Sequence, residues 1–208
     1  MINELLTRYP CLSVCKDDII NATNAIISCY KNGGKVLICG NGGSASDSAH
    51  IVGELMKGFI KKRPLSEQTK NALKENNGNL NDEVFDRLQG SLPAINLCEN
   101  SAIISAFAND VDPDMIYAQE VLGYGKSQDV FIGITTSGNS TNVLNAAELA
   151  KGLGLTTIGL TGRDGGKLKT ICDITIVVPE YETFKIQELH LPVYHLICAL
   201  VEDEFFKE

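Results

Sequence analysis

The stretch KVLICGNGGSASDSAH, residues 35–50, decides how the rest of the chain is read. Lys35 to Cys39 is a short, nearly continuous apolar run, the pattern of a strand buried on both faces. Gly40 to Ser44 is a glycine-rich turn, and a helix is expected from it to about Phe59. Just upstream, Ile19, Ile20, Ile26, Ile27 and Tyr30 fall at helical spacing between Asp17 and Tyr30, with Thr23 the one polar gap on that face. Asn32-Gly33-Gly34 ends that helix, since glycine accepts the left-handed conformation that closes it.

The same unit recurs downstream. Asp129 to Ile134 reads as a strand, Thr135 to Ser140 as a polar loop and Thr141 to Gly152 as a helix. Leu155 to Leu160 is another strand, followed by the polar turn Thr161 to Gly166. Asp173 to Val178, ended by Pro179, is a further one. Pro93 to Leu97 makes a fifth, preceding a helix from Ser101 to Ala108, and a long helix runs from about Thr183 to Phe206. Buried strands alternating with helices mean a parallel sheet covered on both faces. The expected fold class is α/β, a three-layer αβα sandwich on a five-stranded parallel sheet, with an N-terminal helix in addition. Residues 60–91 break the rhythm: they are polar, with a turn at Asn76 to Asn79, and their halves suit two short surface helices. They read as an insertion over the body of one domain spanning 1–208.

Composition narrows the partners. The 208 residues are 44% apolar and 21% charged, as in a folded globular protein. Eighteen basic against 26 acidic residues give a net charge of −8. Nucleic-acid backbones and anionic membranes repel such a chain unless it carries a local basic patch. The short runs Lys61-Lys62-Arg63 and Lys167-Leu168-Lys169 read as solvated surface, so neither nucleic acid nor membrane is expected as a partner. The longest apolar run, Leu191 to Val201, is too short to span a bilayer. MINELLTRYP at the start lacks the continuous apolar core of a signal peptide. Seven scattered cysteines without a CxxC pair fit reduced, buried thiols in a cytoplasmic protein.

In open parallel sheets, ligands bind beyond the carboxyl ends of the strands. Two polar loops occupy that place, Gly40 to Ser44 and Thr135 to Ser140. Hydroxyls and backbone N–H groups at a helix N-terminus bind phosphate without Lys or Arg, which suits an acidic protein. Ser140 or Thr141 could equally be an ordinary N-cap. His50 and Glu54 are four apart and share a helical face, where they can hold a divalent metal such as zinc or move protons. The last helix adds Gln187, Glu188, His190 and His195. The two histidines are five apart, hence on different faces, and spacing does not rank them.

Together these features resemble the phosphoheptose isomerases of the sugar isomerase (SIS) fold. The matching strings are GKVLICGNGGSASDSAH at 34–50, AFAND at 106–110, TTSGNSTNVLNAA at 135–147, LTGRDGG at 160–166 and IQELHLPVYH at 186–195. The resemblance implies conversion of sedoheptulose 7-phosphate to D-glycero-D-manno-heptose 7-phosphate through an enediol, for lipopolysaccharide or capsule. It implies substrate contacts at Asn41, Gly42, Gly43, Asn109 and Asp110, and a phosphate loop of Thr135, Thr136, Ser137 and Ser140. It implies a zinc site of His50, Glu54, Gln187 and His195, with Glu54 and Gln187 also touching substrate. Glu54 and His195 match the acid–base pair, and His190 does not belong to the set. A homotetramer with sites between subunits is implied too.

Geometry sharpens one of these expectations. Gln187 and His195 are separated by about 12 Å along a straight helix. Pro192 lies between them and removes the hydrogen bond to Glu188, so a kink is expected. Either Gln187 sits at the helix start or the metal ligands come from more than one subunit. The sequence also departs from the family pattern. Thr135 stands where serine is common, Lys185 replaces a common arginine beside Phe184, and the insertion places Asn109 55 positions after Glu54. The alternatives are a non-catalytic relative that binds a partner such as a replication initiator, or an SIS isomerase for another phosphosugar. The binding relatives lack the glutamate and histidine that are present here.

Overall fold

The computed structural model describes residues 1–206. Five parallel strands form one sheet in the order β2-β1-β3-β4-β5, with β1 Val36–Gly40, β2 Ala94–Asn96, β3 Val130–Ile134, β4 Thr156–Thr161 and β5 Ile174–Val177. All five expected strands are present, with no end displaced by more than one residue. Every residue of β1 and β3 is buried, as their unbroken apolar runs require.

Alternation along each strand feeds two cores. Val36 and Ile38 face a cluster built with α1 (Ile2–Arg8), α2 (Lys16–Lys31), α3 (Gly43–Met56) and the last helix, α10 (Thr183–Phe205). Leu37, Cys39 and Phe131 face the opposite cluster, built with α7 (Ile116–Tyr124), α8 (Thr141–Gly152) and the short α9 (Leu168–Ile171). The chain leaves β1 towards β2 on one side and takes up β3 on the other. The tips of β1 and β3 are therefore where the crossover direction reverses, the place where such sheets leave a crevice.

Several expectations need correction. The helix after the glycine turn stops at Met56 rather than Phe59, because Arg63 takes its last carbonyls: Nη1 donates to Leu55 O at 2.7 Å and Nη2 to Glu54 O at 2.9 Å. Arg63 is thus not solvated surface. It is 1% exposed and paired with equally buried Glu202 of α10, Nε to Oε1 at 2.8 Å. Glu202 also accepts the backbone N–H groups of Phe59, Ile60 and Lys61, which hold its carboxyl below the usual range against the upward push of burial. Of the cysteines, Cys11 is exposed and Cys98 half-buried, while the other five are buried. Desolvation pushes the buried Cys172 and Cys198 thiols up to about 12, which keeps them inert. The insertion contributes α4 (Glu67–Asn76), which buries nothing, and α5 (Asp82–Phe85), anchored by buried Phe85. Between them and α7 comes α6 (Ser101–Asp110). Pro192 lies within α10 and does not end it.

Helix α7 carries a defect of charge. Glu120 is 2% exposed and its Oε2 has no hydrogen-bond partner. Burial pushes its carboxyl up to about 7, with a hydrogen bond from Asn100 pulling the other way. The folded state then holds a proton that the unfolded chain releases near 4.5, so stability falls as pH rises from about 4.5 to about 7. Glu120→Gln is expected to match the wild type near pH 4.5 and to exceed it at pH 8, by roughly 2–3 kcal/mol at most. Urea midpoints at the two pH values measure this; an equal or lower midpoint for the variant at pH 8 would refute it.

Candidate active site

A pocket of about 320 Å³ opens at the tips of β1 and β3, with Asn41, Gly43, Thr135, Thr136, Ser140 and Gln187 among its walls. Ser140 sits at the N-cap position of α8, yet its hydroxyl does not cap the helix. It bonds Thr135 Oγ1 instead, at 2.8 Å, so two hydroxyls meet beside a helix N-terminus. The loop after β3 bends through Gly138 at φ 67°, and a Cβ there would run into the Gly165 carbonyl of the loop after β4. Asn139 reinforces that junction, its Oδ1 accepting from Lys167 N at 3.1 Å. Ser137 belongs to this loop, but its Oγ accepts from Asn139 N and it is not a wall of the pocket.

The two loops are tied to each other through Asn41 and two side chains that the sequence pattern does not single out, Asn142 and Tyr117. Asn41 and Asn142 exchange amide hydrogen bonds of 2.8 and 3.0 Å. The Tyr117 hydroxyl donates to Gly40 O at 2.7 Å and reaches Asn41 Oδ1 at 3.1 Å. Gly43 lets α10 come close, since a Cβ there would land on the Gln187 amide. Asn109 and Asp110 lie elsewhere. They end α6, both exposed, joined by a 2.8 Å bond from Asn109 Nδ2 to Asp110 Oδ1, outside the pocket walls.

Farther along the same two helices a second cluster forms. On α3, His50 Nε2 lies 3.2 Å from Glu54 Oε1, as their spacing of four predicts. Lys57, just past the helix end, places its Nζ 3.1 Å from Glu54 Oε2. From α10 the His195 ring approaches the His50 ring to 4.9 Å, edge to face, and Phe59 flanks it at 5.4 Å. Burial lowers the His195 pKa, the nearness of His50 lowers it further and Glu54 opposes them, so the imidazole is neutral near pH 7. His190 points elsewhere. It is fully buried, and burial drives its pKa down to about 4, with only the Thr161 backbone opposing.

The four expected metal ligands divide. His50, Glu54 and His195 converge, whereas Gln187 lies in the loop pocket, about two helical turns from His195. Gln187 is the fifth residue of α10, inside the helix rather than at its start. Among the described residues, no three His, Cys, Asp or Glu side chains are placed to hold a metal ion together. The donor chemistry nonetheless suits zinc, which takes imidazole nitrogen and carboxylate oxygen. His195 Nε2 is a buried polar atom with no hydrogen-bond partner, the state of a ligand atom reserved for something else. A spacing signal marks more of this cluster than the pair of His50 and Glu54: Asp47, His50, Glu54 and Lys57 recur at intervals of three and four, one polar stripe down α3.

A five-stranded parallel sheet with a hydroxyl-lined crevice at its switch point defines a class, and the sequence agrees: residues 10–162 match the SIS domain family, to which the chain belongs. Within that class it is 40% identical over 187 residues to the phosphoheptose isomerase of a Nitratiruptor species, covering 90% of this chain and 86% of the relative. It is 39% identical over 188 residues to phosphoheptose isomerase 2 of Campylobacter jejuni, covering 90% and 81%. The solved phosphoheptose isomerase structure from Francisella tularensis superposes with a TM-score of 0.78 at 32% identity, over 94% of this chain and 91% of that one. The chain therefore belongs to the phosphoheptose isomerase family of enzymes. Among the described residues, no helix is long and apolar enough to cross a membrane.

Proposed function

We propose that the protein interconverts sedoheptulose 7-phosphate and D-glycero-D-manno-heptose 7-phosphate in the cytoplasm, supplying heptose for surface polysaccharide. The observation that carries this reading is the meeting of Glu54, His50 and His195 on the same two helices that build the hydroxyl-lined pocket. The two clusters are about 10 Å apart along α3, counting seven residues from Gly43 to His50. An extended seven-carbon chain with a terminal phosphate suits that order of length.

Thr135, Thr136 and Ser140, with the α8 N-terminus, receive the phosphate, and Asn41, Gly42, Gly43 and Gln187 line the path of the sugar. Holding the distant phosphate fixes the reacting carbons without touching them. Glu54 takes the proton from C2 or C1 and returns it to the neighbouring carbon. The free ring nitrogen of neutral His195 hands a proton to one substrate oxygen and takes one from the other as the enediol forms and collapses. Lys57 sets a positive charge against Glu54 from the side opposite His50. His50, Glu54 and His195 would hold zinc, and Gln187 completes the set when a second subunit contributes it. When bound, zinc supplies electrophilic polarisation of the substrate oxygens. Asn109 and Asp110 reach substrate in the same way, which calls for a homotetramer with sites between subunits.

The test is incubation of the full-length protein with sedoheptulose 7-phosphate, with product followed by phosphorus NMR. Turnover is expected, abolished by a chelator and restored by added zinc. Absence of turnover by the metal-loaded protein would overturn the assignment of substrate.

A further inference from the structure

Behind the reacting cluster lies a second line of hydrogen bonds, and none of the roles assigned above uses it. The Tyr194 hydroxyl, on α10 next to His195, donates to Asp47 Oδ1 at 3.3 Å. The same hydroxyl lies 3.0 Å from His50 Nδ1. Tyr194 is 2% exposed, and Asp47 Oδ2 is buried with no hydrogen-bond partner among the described residues.

The direction of these bonds follows from what each group can give. A carboxylate only accepts, and a phenol has one hydrogen. If Tyr194 gives its hydrogen to Asp47, its oxygen can only accept from His50, which must then carry its proton on Nδ1. The other ring nitrogen, Nε2, is left with its lone pair towards Glu54 Oε1, 3.2 Å away. Two acceptors at that distance repel each other, a cost that the Asp47–Tyr194 bonds offset and that a shared cation removes.

We propose that Tyr194, held in turn by Asp47, is a positioning residue that fixes the tautomer of His50 and so turns its Nε2 lone pair towards Glu54 and a shared cation. The inference rests on the reading of His50 as a zinc ligand only in its last clause; the tautomer stands on the hydrogen bonds. It makes the pair Asp47–Tyr194 the outer support of the α3–α10 junction. Edge-to-face contacts of the Tyr194 ring with His50 at 5.5 Å and His195 at 5.0 Å keep the three rings in place. Outer partners of metal-binding histidines are worth about 10–100-fold in metal affinity.

The test uses long-range 15N–1H NMR on the metal-free protein at pH 8, where the three histidines of the chain give few signals and His50→Gln assigns the one in question. In the wild type, His50 should show a protonated Nδ1 and an unprotonated Nε2. Tyr194→Phe keeps the ring and loses the hydroxyl, so the proton should move to Nε2, where Glu54 accepts it. Asp47→Leu should move it as well, because Tyr194 then gives its hydrogen back to Nδ1. Asp47→Asn keeps an acceptor oxygen and should retain the wild-type pattern. Zinc affinity, measured by competition with a coloured chelator, should fall about 10–100-fold in Tyr194→Phe and little in Asp47→Asn. A wild-type His50 protonated at Nε2, or a tautomer unmoved in both Tyr194→Phe and Asp47→Leu, would overturn the proposal. A wild type that shows the expected tautomer and binds no zinc would remove His50 as a zinc ligand while leaving Tyr194 as its positioning residue.

Discussion

Replacing Arg63 by alanine is expected to destabilise the protein by about 3–5 kcal/mol, the range for removing one partner of a buried pair. Three losses coincide. Glu202 keeps its charge in a site where it is 1% exposed, and only the N–H groups of Phe59, Ile60 and Lys61 remain to it. The carbonyls of Glu54 and Leu55 lose the donors that end α3. The Phe206 ring loses the guanidinium 4.6 Å from its centre. Lysine should recover less than half of the loss, since one ammonium cannot serve Glu202 and two separate carbonyls in a fork. Changing both partners, Arg63→Met with Glu202→Leu, should be less damaging than Arg63→Ala, because no unpaired charge is left behind. Urea unfolding measures all three. A loss below about 1 kcal/mol for Arg63→Ala would show that the pair is better solvated than its burial indicates.

Glu54→Gln is the larger change on the activity side. It keeps the shape and the packing of a side chain that is 9% exposed while removing the group that moves the carbon-bound proton. The expected fall in kcat is about 10²–10⁴-fold, the usual worth of one acid–base group. KM should change little, because the phosphate is held in the loop pocket about three turns away. Full turnover by this variant would take Glu54 out of the chemistry. Loss of binding with kcat preserved would make it a substrate contact instead.

The parts legible in the sequence are those governed by local pattern. The apolar runs 35–39 and 129–134 place the central strands, and the polar loops after them place the crevice, because burial on both faces leaves an unbroken apolar signature. Helix α7 escapes such a reading, since IYAQEVLGY leaves apolar Leu122 and Tyr124 exposed and puts Glu120 in the core, which hides its periodicity. Arg63 misleads for a different reason: its partner lies 139 residues away in sequence, and a run of three cations looks solvated wherever it occurs. The pairing of His50 with Glu54 is legible from spacing alone. The choice of His195 over His190 needs the family resemblance, and the structure supplies a physical reason for it: one ring stands among ionisable side chains, the other in the apolar interior.

The ends of the insertion are closed at its stem. Gly90 N donates to Arg63 O at 2.6 Å, Gly58 N to Gln89 Oε1 at 2.8 Å and Leu92 N to Leu55 O at 3.1 Å. What lies beyond those bonds hangs from a fastened collar, and lengthening a loop whose ends are already joined adds only a slowly growing entropic charge. Evolution, or an engineer, can therefore rewrite residues 64 to 84, none of them buried, as a separate ornament while Phe85, Gln89 and the helix that presents Glu54 stay where they are.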